Sequence, residues 1–384
     1  MNTIFRRAFS PAIILVTAAM IITAWNPLMG REKKFYSDPR TYARAEVMKI
    51  EKIDGAPGSH DVETRVHLKI VDGDRKGETF VSVYRGADEM PEGMFYREGN
   101  TVFIGISKIE GSDINEFISL YDVDNTGGII ALGILLFITI IIVGRLRGIM
   151  SMISLIATII LIFFILIPMT LKGHSPLPIA VAISLFAMVV TIPIIVGFRI
   201  KAVAAILGGS LGIILATILS LLCGLFMHLS GIVTNEMMTV FYASNVDVDL
   251  RGLALAGIVI AALGAIMDVC ISIASAAEEI FRVHPEISTR EAFRSVITVS
   301  SDMLGATVNT LLFAYVGSAL PMVLLIAMRI QPDMPIWLIF NYNPVLSELV
   351  KSAVGCIGMF LSMPVTAFIS IHLHRRRQAR TSQA

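Results

Sequence analysis

The residues of this chain that could do chemistry are acids and amides set into apolar surroundings. Asp268 interrupts the apolar run Leu253–Ala277, and Asp302, Asn309 and Thr310 interrupt the run that ends near Met328. An ionised side chain at bilayer depth costs on the order of 3 kcal/mol or more unless something satisfies it. Read as a helix, the first run puts Asp268, Ser272, Ser275 and Glu279 on one face, at spacings of four, three and four residues. Gly257 and Gly264 continue that face without side-chain bulk. On the second run Asp302, Gly305 and Asn309 recur three and four residues apart, with Thr298 and Ser301 just below. Stripes of this kind suit proton or ion handling inside a helix bundle. A neutral amide could pack helices at lower desolvation cost, so a mid-span carboxylate points to function, whereas the hydroxyls and Asn309 also suit plain helix bridging. The candidate polar path is therefore Asp268, Ser272, Ser275, Glu278, Asp302, Asn309 and Thr310. A last apolar run adds Glu348 and Lys351, close enough to form an ordinary interfacial pair, on a stripe with Gly355 and Ser362.

The elements that must hold these residues are membrane helices. Of 384 residues 55% are hydrophobic and 16% charged, and the mean hydropathy is +0.75, more apolar character than a soluble domain of this size buries. Runs of about twenty residues match an α-helix crossing roughly 30 Å of hydrocarbon, not the short alternating strands of an outer-membrane barrel. Expected spans are Gly127–Val143, Ile149–Met169, Leu177–Phe198, Ala202–Met227, Leu253–Ala277, Met303–Met328 and Leu349–Leu373. An eighth, Ala8–Met29 behind Arg6 and Arg7, suits a cleaved signal sequence or a retained anchor, and the anchor is the favoured reading because no clear small-x-small cleavage site precedes the charged stretch at Arg31.

Between anchor and spans the composition turns polar. Thr41–Ile53, Val62–Val71, Glu78–Tyr84, Thr101–Ser107 and Asn115–Asp122 read as strands, with Val62, Thr64, Val66, Leu68 and Ile70 sharing one face. Asp72-Gly73, Lys76-Gly77 and the stretch Arg97 to Asn100 supply turns. Five short strands in this length suggest a small closed barrel of the OB type. Tyr84, Phe95, Tyr96 and Phe103 look like core and edge residues, not a base-stacking platform, and a net charge of +1 gives no reason to expect nucleic acid. The domain plan is an anchor over 1–30, an extracytoplasmic β domain over 31–126, a seven-helix domain over 127–374 and a basic tail over 375–384. Arg6/Arg7, Arg145/Arg147, Arg199/Lys201, Arg282/Arg290/Arg294 and Arg375 to Arg377 fall on one side of this threading, which places both termini in the cytoplasm. Among the outer loops, Asn235–Arg251 is mildly acidic. Trp337, Phe340 and Tyr342 form an expected aromatic belt, and Asn343-Pro344 starts the last helix.

Enzyme chemistry finds little support. There is no HExxH helix and no Ser/His pair on facing spans, and Gly264 to Asp268 lacks the motif spacing of an intramembrane aspartyl protease. Cys223, Cys270 and Cys356 have neither metal nor disulfide spacing, and His372 and His374 read as part of a solvated tail beside the terminal arginines. No metal and no cofactor is expected.

The run Gly264-Ala265-Ile266-Met267-Asp268 with Ser272, Ser275 and Glu278 resembles the YibE/F family of bacterial multi-pass membrane proteins. So do Ser300-Ser301-Asp302, Thr307-Val308-Asn309-Thr310-Leu311, the stretch Tyr315 to Pro321, and Gly355, Gly358 and Pro364. Met303-Leu304-Gly305 departs from the expected small run. The resemblance covers most of the chain, β-rich segment included, and implies this architecture in a bacterial cytoplasmic membrane without fixing an activity. A looser likeness, of a mid-span acid followed by a polar span, is to halves of the RND and SecD/SecF exporters, where the acid relays protons. Two functions are expected to compete. One is a transporter or exporter, proton- or ion-coupled, for a small molecule or ion. The other is a scaffold or regulator whose outer β domain recruits a partner, in either a homo- or a hetero-oligomer.

Overall fold

A computed structural model describes residues 41–53, 61–73, 75–87, 96–108, 116–232, 237–238, 248–328 and 335–381. The expected anchor Ala8–Met29, Phe95 and most of the loop 235–251 lie outside them. Two compact units divide at the Val143/Gly144 junction.

The first unit is built on five antiparallel strands: β1 (Thr41–Ile53), β2 (Asp61–Ile70), β3 (Thr79–Ala87), β4 (Thr101–Lys108) and β5 (Glu116–Val123). Alternation decides their faces. Ala45 and Val47, then Val66, Leu68 and Ile70, then Val102, Ile104 and Ile106 all point into one buried core. Gly73 and Gly77, at φ of 81° and 94°, take the left-handed backbone that the β2–β3 turn requires. The strand order is β3-β2-β1-β4-β5. Register shifts at Val47/Lys49 and Val102/Ile104 curl the sheet. The expected closed barrel is a half-barrel instead. The curl brings the edge strands within side-chain reach, where Ser82 Oγ donates to the Ile118 carbonyl at 3.2 Å, but among the described residues no backbone ladder joins them. Tyr96 is a half-buried core neighbour, its hydroxyl donating to the Tyr121 carbonyl at 2.7 Å.

One charged cluster ties strand to turn and to the first helix. Asp72 accepts from the Arg44 backbone N–H at 2.9 Å and from its guanidinium at 2.6 Å. These bonds, the backbone one first, hold the Asp72 carboxyl below its ordinary range. Thr126, through its hydroxyl and its N–H, and then Arg44 do the same for Asp124. Carboxyls depressed on folding add stability above their unfolded pKa and lose it as the pH falls through the folded one. Protection of β1 and β4 peptides in the full-length protein, expressed relative to the intrinsic exchange rate at each pH, should therefore fall once the pH drops below about 4. Arg44→Ala should flatten that acid limb, and an unchanged limb in this variant would remove the cluster as its cause.

Among the described residues seven helices are long and apolar enough to cross a membrane, so the chain is a multi-pass membrane protein in contact with lipid. They are α1 (Thr126–Arg145), α2 (Gly148–Leu171), α3 (Pro176–Val196), α4 (Ile200–Phe226), α5 (Leu250–Val283), α6 (Thr289–Ser318) and, after the short α7 (Leu320–Ala327) and α8 (Ile336–Phe340), α9 (Asn343–Thr381). Arg145, at φ 49° and ψ −139°, breaks the otherwise continuous run between α1 and α2. The helix carrying Asp302 begins at Thr289, well before the expected Met303. Ser288 and Glu291 form a capping box that satisfies its first N–H groups. It also stops at Ser318, short of the expected Met328.

The second unit is centred on α4, α5 and α9, which approach closely because glycines line their seams. A Cβ on Gly212 would lie 2.8 Å from Ser362 Cβ and 3.0 Å from Ile266, and one on Gly358 would lie 3.1 Å from Ala216. Helix α3 joins through Met188, fully buried, and meets α2 where Ser154 Oγ donates to Thr191 Oγ1 at 2.5 Å. The far end of α9 grips the α5–α6 turn: Arg375 donates to the Ile287 carbonyl and Gln378 to Pro285 at 2.9 Å. His374, expected in a solvated tail, is 9% exposed and stacks on Phe281 with ring centroids 5.4 Å apart.

Candidate functional site

Helix α5 has a packed side and an open side. Leu255, Ile258, Val259, Ala262, Ile266, Cys270 and Ile273 fill the packed side. Gly257, Gly264 and Asp268 share the open one: all three are exposed, and no other described atom lies within 4 Å of a Cβ built on either glycine. The sequence reading expects Asp268 to face neighbouring spans. Instead its stripe is left uncovered by the described helices, because the aliphatic face of α5 supplies the packing against α4 and α9. Ser272 and Ser275, half-buried, flank the same stripe nearer the turn.

Helix α6 is divided the same way. Ala292, Val296, Ser300 and Leu304 are buried, while Asp302, Gly305, Asn309 and Thr310 are exposed. Four of its hydroxyls satisfy themselves: Thr298, Ser301, Thr307 and Thr310 donate to the carbonyls of Arg294, Ile297, Met303 and Ala306 at 2.8–3.0 Å, whereas the buried Ser300 Oγ has no partner among the described residues. An ionised carboxylate, which can only accept, has no such local solution. Among the described residues neither Asp268, Asp302 nor Asn309 has a hydrogen bond or ion pair.

The acids are level with each other. Asp268 stands fifteen residues before Val283 and Asp302 thirteen after Thr289, so at 1.5 Å per residue both lie roughly 20 Å from the turn. Depth matches, but within the described chain the two are not enclosed in one cavity.

Glu278 does other work. Its carboxylate lies 2.7 Å from Lys201 Nζ and 3.9 Å from Arg199, tying the end of α5 to the start of α4, while Glu279 pairs with Arg282 on its own helix. Glu348 and Lys351 pair at 2.7 Å. The ammonium stands 5.8 Å from the centre of the Tyr315 ring on α6, an aromatic cap that spacing along α9 does not reveal. Among the described residues no group of three or more His, Cys, Asp or Glu side chains comes together.

Among the described residues, seven candidate spans preceded by a small β unit, with acids on α5, α6 and α9, define a multi-pass membrane protein of the kind the motifs indicate. The chain belongs to the YibE/F-like protein family, whose model matches residues 132–376. That stretch holds the spans and every candidate site residue, and it begins after the β strands, which the resemblance alone included. No curated protein and no solved structure matches the chain.

Proposed function

We propose that this YibE/F-like protein is a non-enzymatic transporter or exporter, coupled to protons or another ion, with Asp268 as its central acid and Asp302 and Asn309 as accessory polar groups. The observation that carries this reading is the pair of level carboxyls on adjacent spans, neither with a partner among the described residues. On α6 the hydroxyls of Thr298, Ser301, Thr307 and Thr310 bond to their own backbone, whereas among the described residues the two acids have no partner for their charge. In this reading both termini are cytoplasmic, the half-barrel is OB-like and extracytoplasmic, and the membrane is a bacterial cytoplasmic one. The basic clusters support that orientation.

A second reading, the partner-recruiting scaffold, is favoured by the outer face of the sheet. Tyr42 is 65% exposed there and Phe103 37%, a surface that suits a protein contact. The two separate in reconstituted vesicles loaded with a pH-sensitive dye. A carrier should let some member of a panel of ions and metabolites collapse an imposed pH gradient faster than in protein-free vesicles. If no member does so, while Tyr42→Ser with Phe103→Ser fails to reverse a deletion-strain phenotype that the wild type reverses, the carrier reading falls.

A further inference from the structure

Helices α6 and α9 meet along a seam whose two ends differ. At one end Lys351 caps the Tyr315 ring, and Leu311 Cδ2 lies 3.5 Å from a Cβ built on Gly355. At the other end Arg375 donates to the Ile287 carbonyl, just before α6 begins. Counted back in steps of seven, the line of Leu311 passes Leu304 and Ile297 to Arg290, and that of Tyr315 passes Val308 and Ser301 to Arg294. A straight helix drifts about 20° per seven residues, so both arginines fall on the edge of α6 nearest the end of α9, where Arg375, Arg376 and Arg377 follow one another. We propose that this end of the seam binds an anionic glycerophospholipid, its phosphate held by Arg290, Arg294 and Arg376 and its acyl chains lying along α9 over Phe368 and Leu361. The inference depends neither on transport nor on which side of the membrane this end faces.

Charge argues for that occupant first. Arg290, Arg294 and Arg376 are exposed, and among the described residues none of them has an acid partner. The acids of the α5–α6 turn are mostly taken: Glu279 pairs with Arg282, and Glu291 accepts from the Ser288 hydroxyl. That leaves Glu286 against the three arginines. Packing of α6 on α9 thus gathers like charges that an anion would relieve, and the guanidinium fork matches a phosphate in geometry. Shape argues for a lipid over a soluble anion. Phe368 and Leu361 stand seven and fourteen residues before Arg375 on one line of α9, and both are exposed. At 1.5 Å per residue they lie about 10 and 20 Å deeper than the arginines, at the level of acyl chains. Free phosphate would use only the arginines, whereas a phospholipid fits both levels. Basic groups gathered between spans at the membrane boundary are the chemistry that retains anionic headgroups.

Native mass spectrometry of the full-length protein in mild detergent tests the site. With phosphatidylglycerol and phosphatidylcholine added in equal amounts, the wild type should retain at least about tenfold more of the first. Arg290→Gln with Arg294→Gln should bring the two lipids to within about twofold of each other, and Arg290→Lys with Arg294→Lys should keep part of the preference. Arg282→Gln, whose arginine is already paired with Glu279, should leave it unchanged. Because the double Gln variant could itself disturb folding, the wild type is also irradiated with phosphatidylglycerol carrying a diazirine on an acyl chain, which should label chiefly the α9 peptide around Phe368. Equal retention of the two lipids by the wild type would overturn the inference, as would a preference that survives the Gln pair or is lost equally in Arg282→Gln. Labelling spread evenly over the lipid-facing helices would make the lipid a non-specific neighbour and overturn it too. Displacement of phosphatidylglycerol by millimolar inorganic phosphate would give the arginines to a soluble anion instead.

Discussion

Asp268→Asn is expected to leave vesicles with no pH-driven flux above background while the protein inserts and melts like the wild type. The substitution keeps shape and most hydrogen-bonding capacity, and removes only the group that gains and loses a proton. A positioned proton-transfer group is typically worth about 10² to 10⁴ in rate, so at least about a hundredfold loss is the scale to look for. Folding should tolerate the change because Asp268 has no described ion pair to break, and because an amide is cheaper to desolvate than a carboxylate. Asp268→Glu retains a titrating group one methylene longer and should keep partial flux, which separates loss of the proton from loss of fit. Asp302→Asn, at the same depth on α6, should reduce flux less, as expected of an accessory group beside the central acid. Wild-type flux in Asp268→Asn would take this acid out of the mechanism.

The strands were legible because alternation is a local property. The bounds of β1 coincide with the expected Thr41–Ile53, and those of β4 differ by a single residue, Lys108. Closure of the sheet was not, since it depends on how far two bulges curl five strands, and neither bulge leaves a mark in composition. The apolar spans were legible from length alone, but the true start of α6 was not legible from hydropathy. Residues 289–302 are amphipathic, and the signal lies in the Ser288 and Glu291 capping pair. Helical spacing correctly put Asp268 on a stripe with Gly257 and Gly264, yet spacing cannot say which of two low-polarity faces packs. On α5 the aliphatic face packs and the glycine face stays open. Glu278 looked like a continuation of the polar path because its partner Lys201 lies on a helix distant in sequence.

The seam between α4 and α9 should be the least forgiving place in the bundle. A Cβ on Gly208 would overlap Thr366 Oγ1 and lie 2.8 Å from both the Cα and the Cβ of that residue. Two of those atoms cannot be moved by a rotamer change, and the third is pinned: Thr366 Oγ1 donates to the Ser362 carbonyl at 2.7 Å and sits 3.3 Å from Cys270 Sγ. Gly208→Ala is therefore expected to cost about 1 to 3 kcal/mol, and Gly208→Val more, by the overpacking of a filled core. Gly305→Ala is the matched control. That glycine is also in mid-helix, but no described atom lies within 4 Å of the added methyl, and alanine is the better helix former. The native Cys270 thiol, 0% exposed beside this seam, provides the readout. With Cys223 and Cys356 replaced by alanine, its alkylation on heating should begin at a lower temperature in Gly208→Ala than in the parent, and at an unchanged temperature in Gly305→Ala. Adding Thr366→Gly to Gly208→Ala removes the Cβ and the hydroxyl but not the Cα, so it should recover part of the loss. Full recovery would mean that the backbones are not in contact there, and no loss at all in Gly208→Ala would mean that the two helices do not meet at this level.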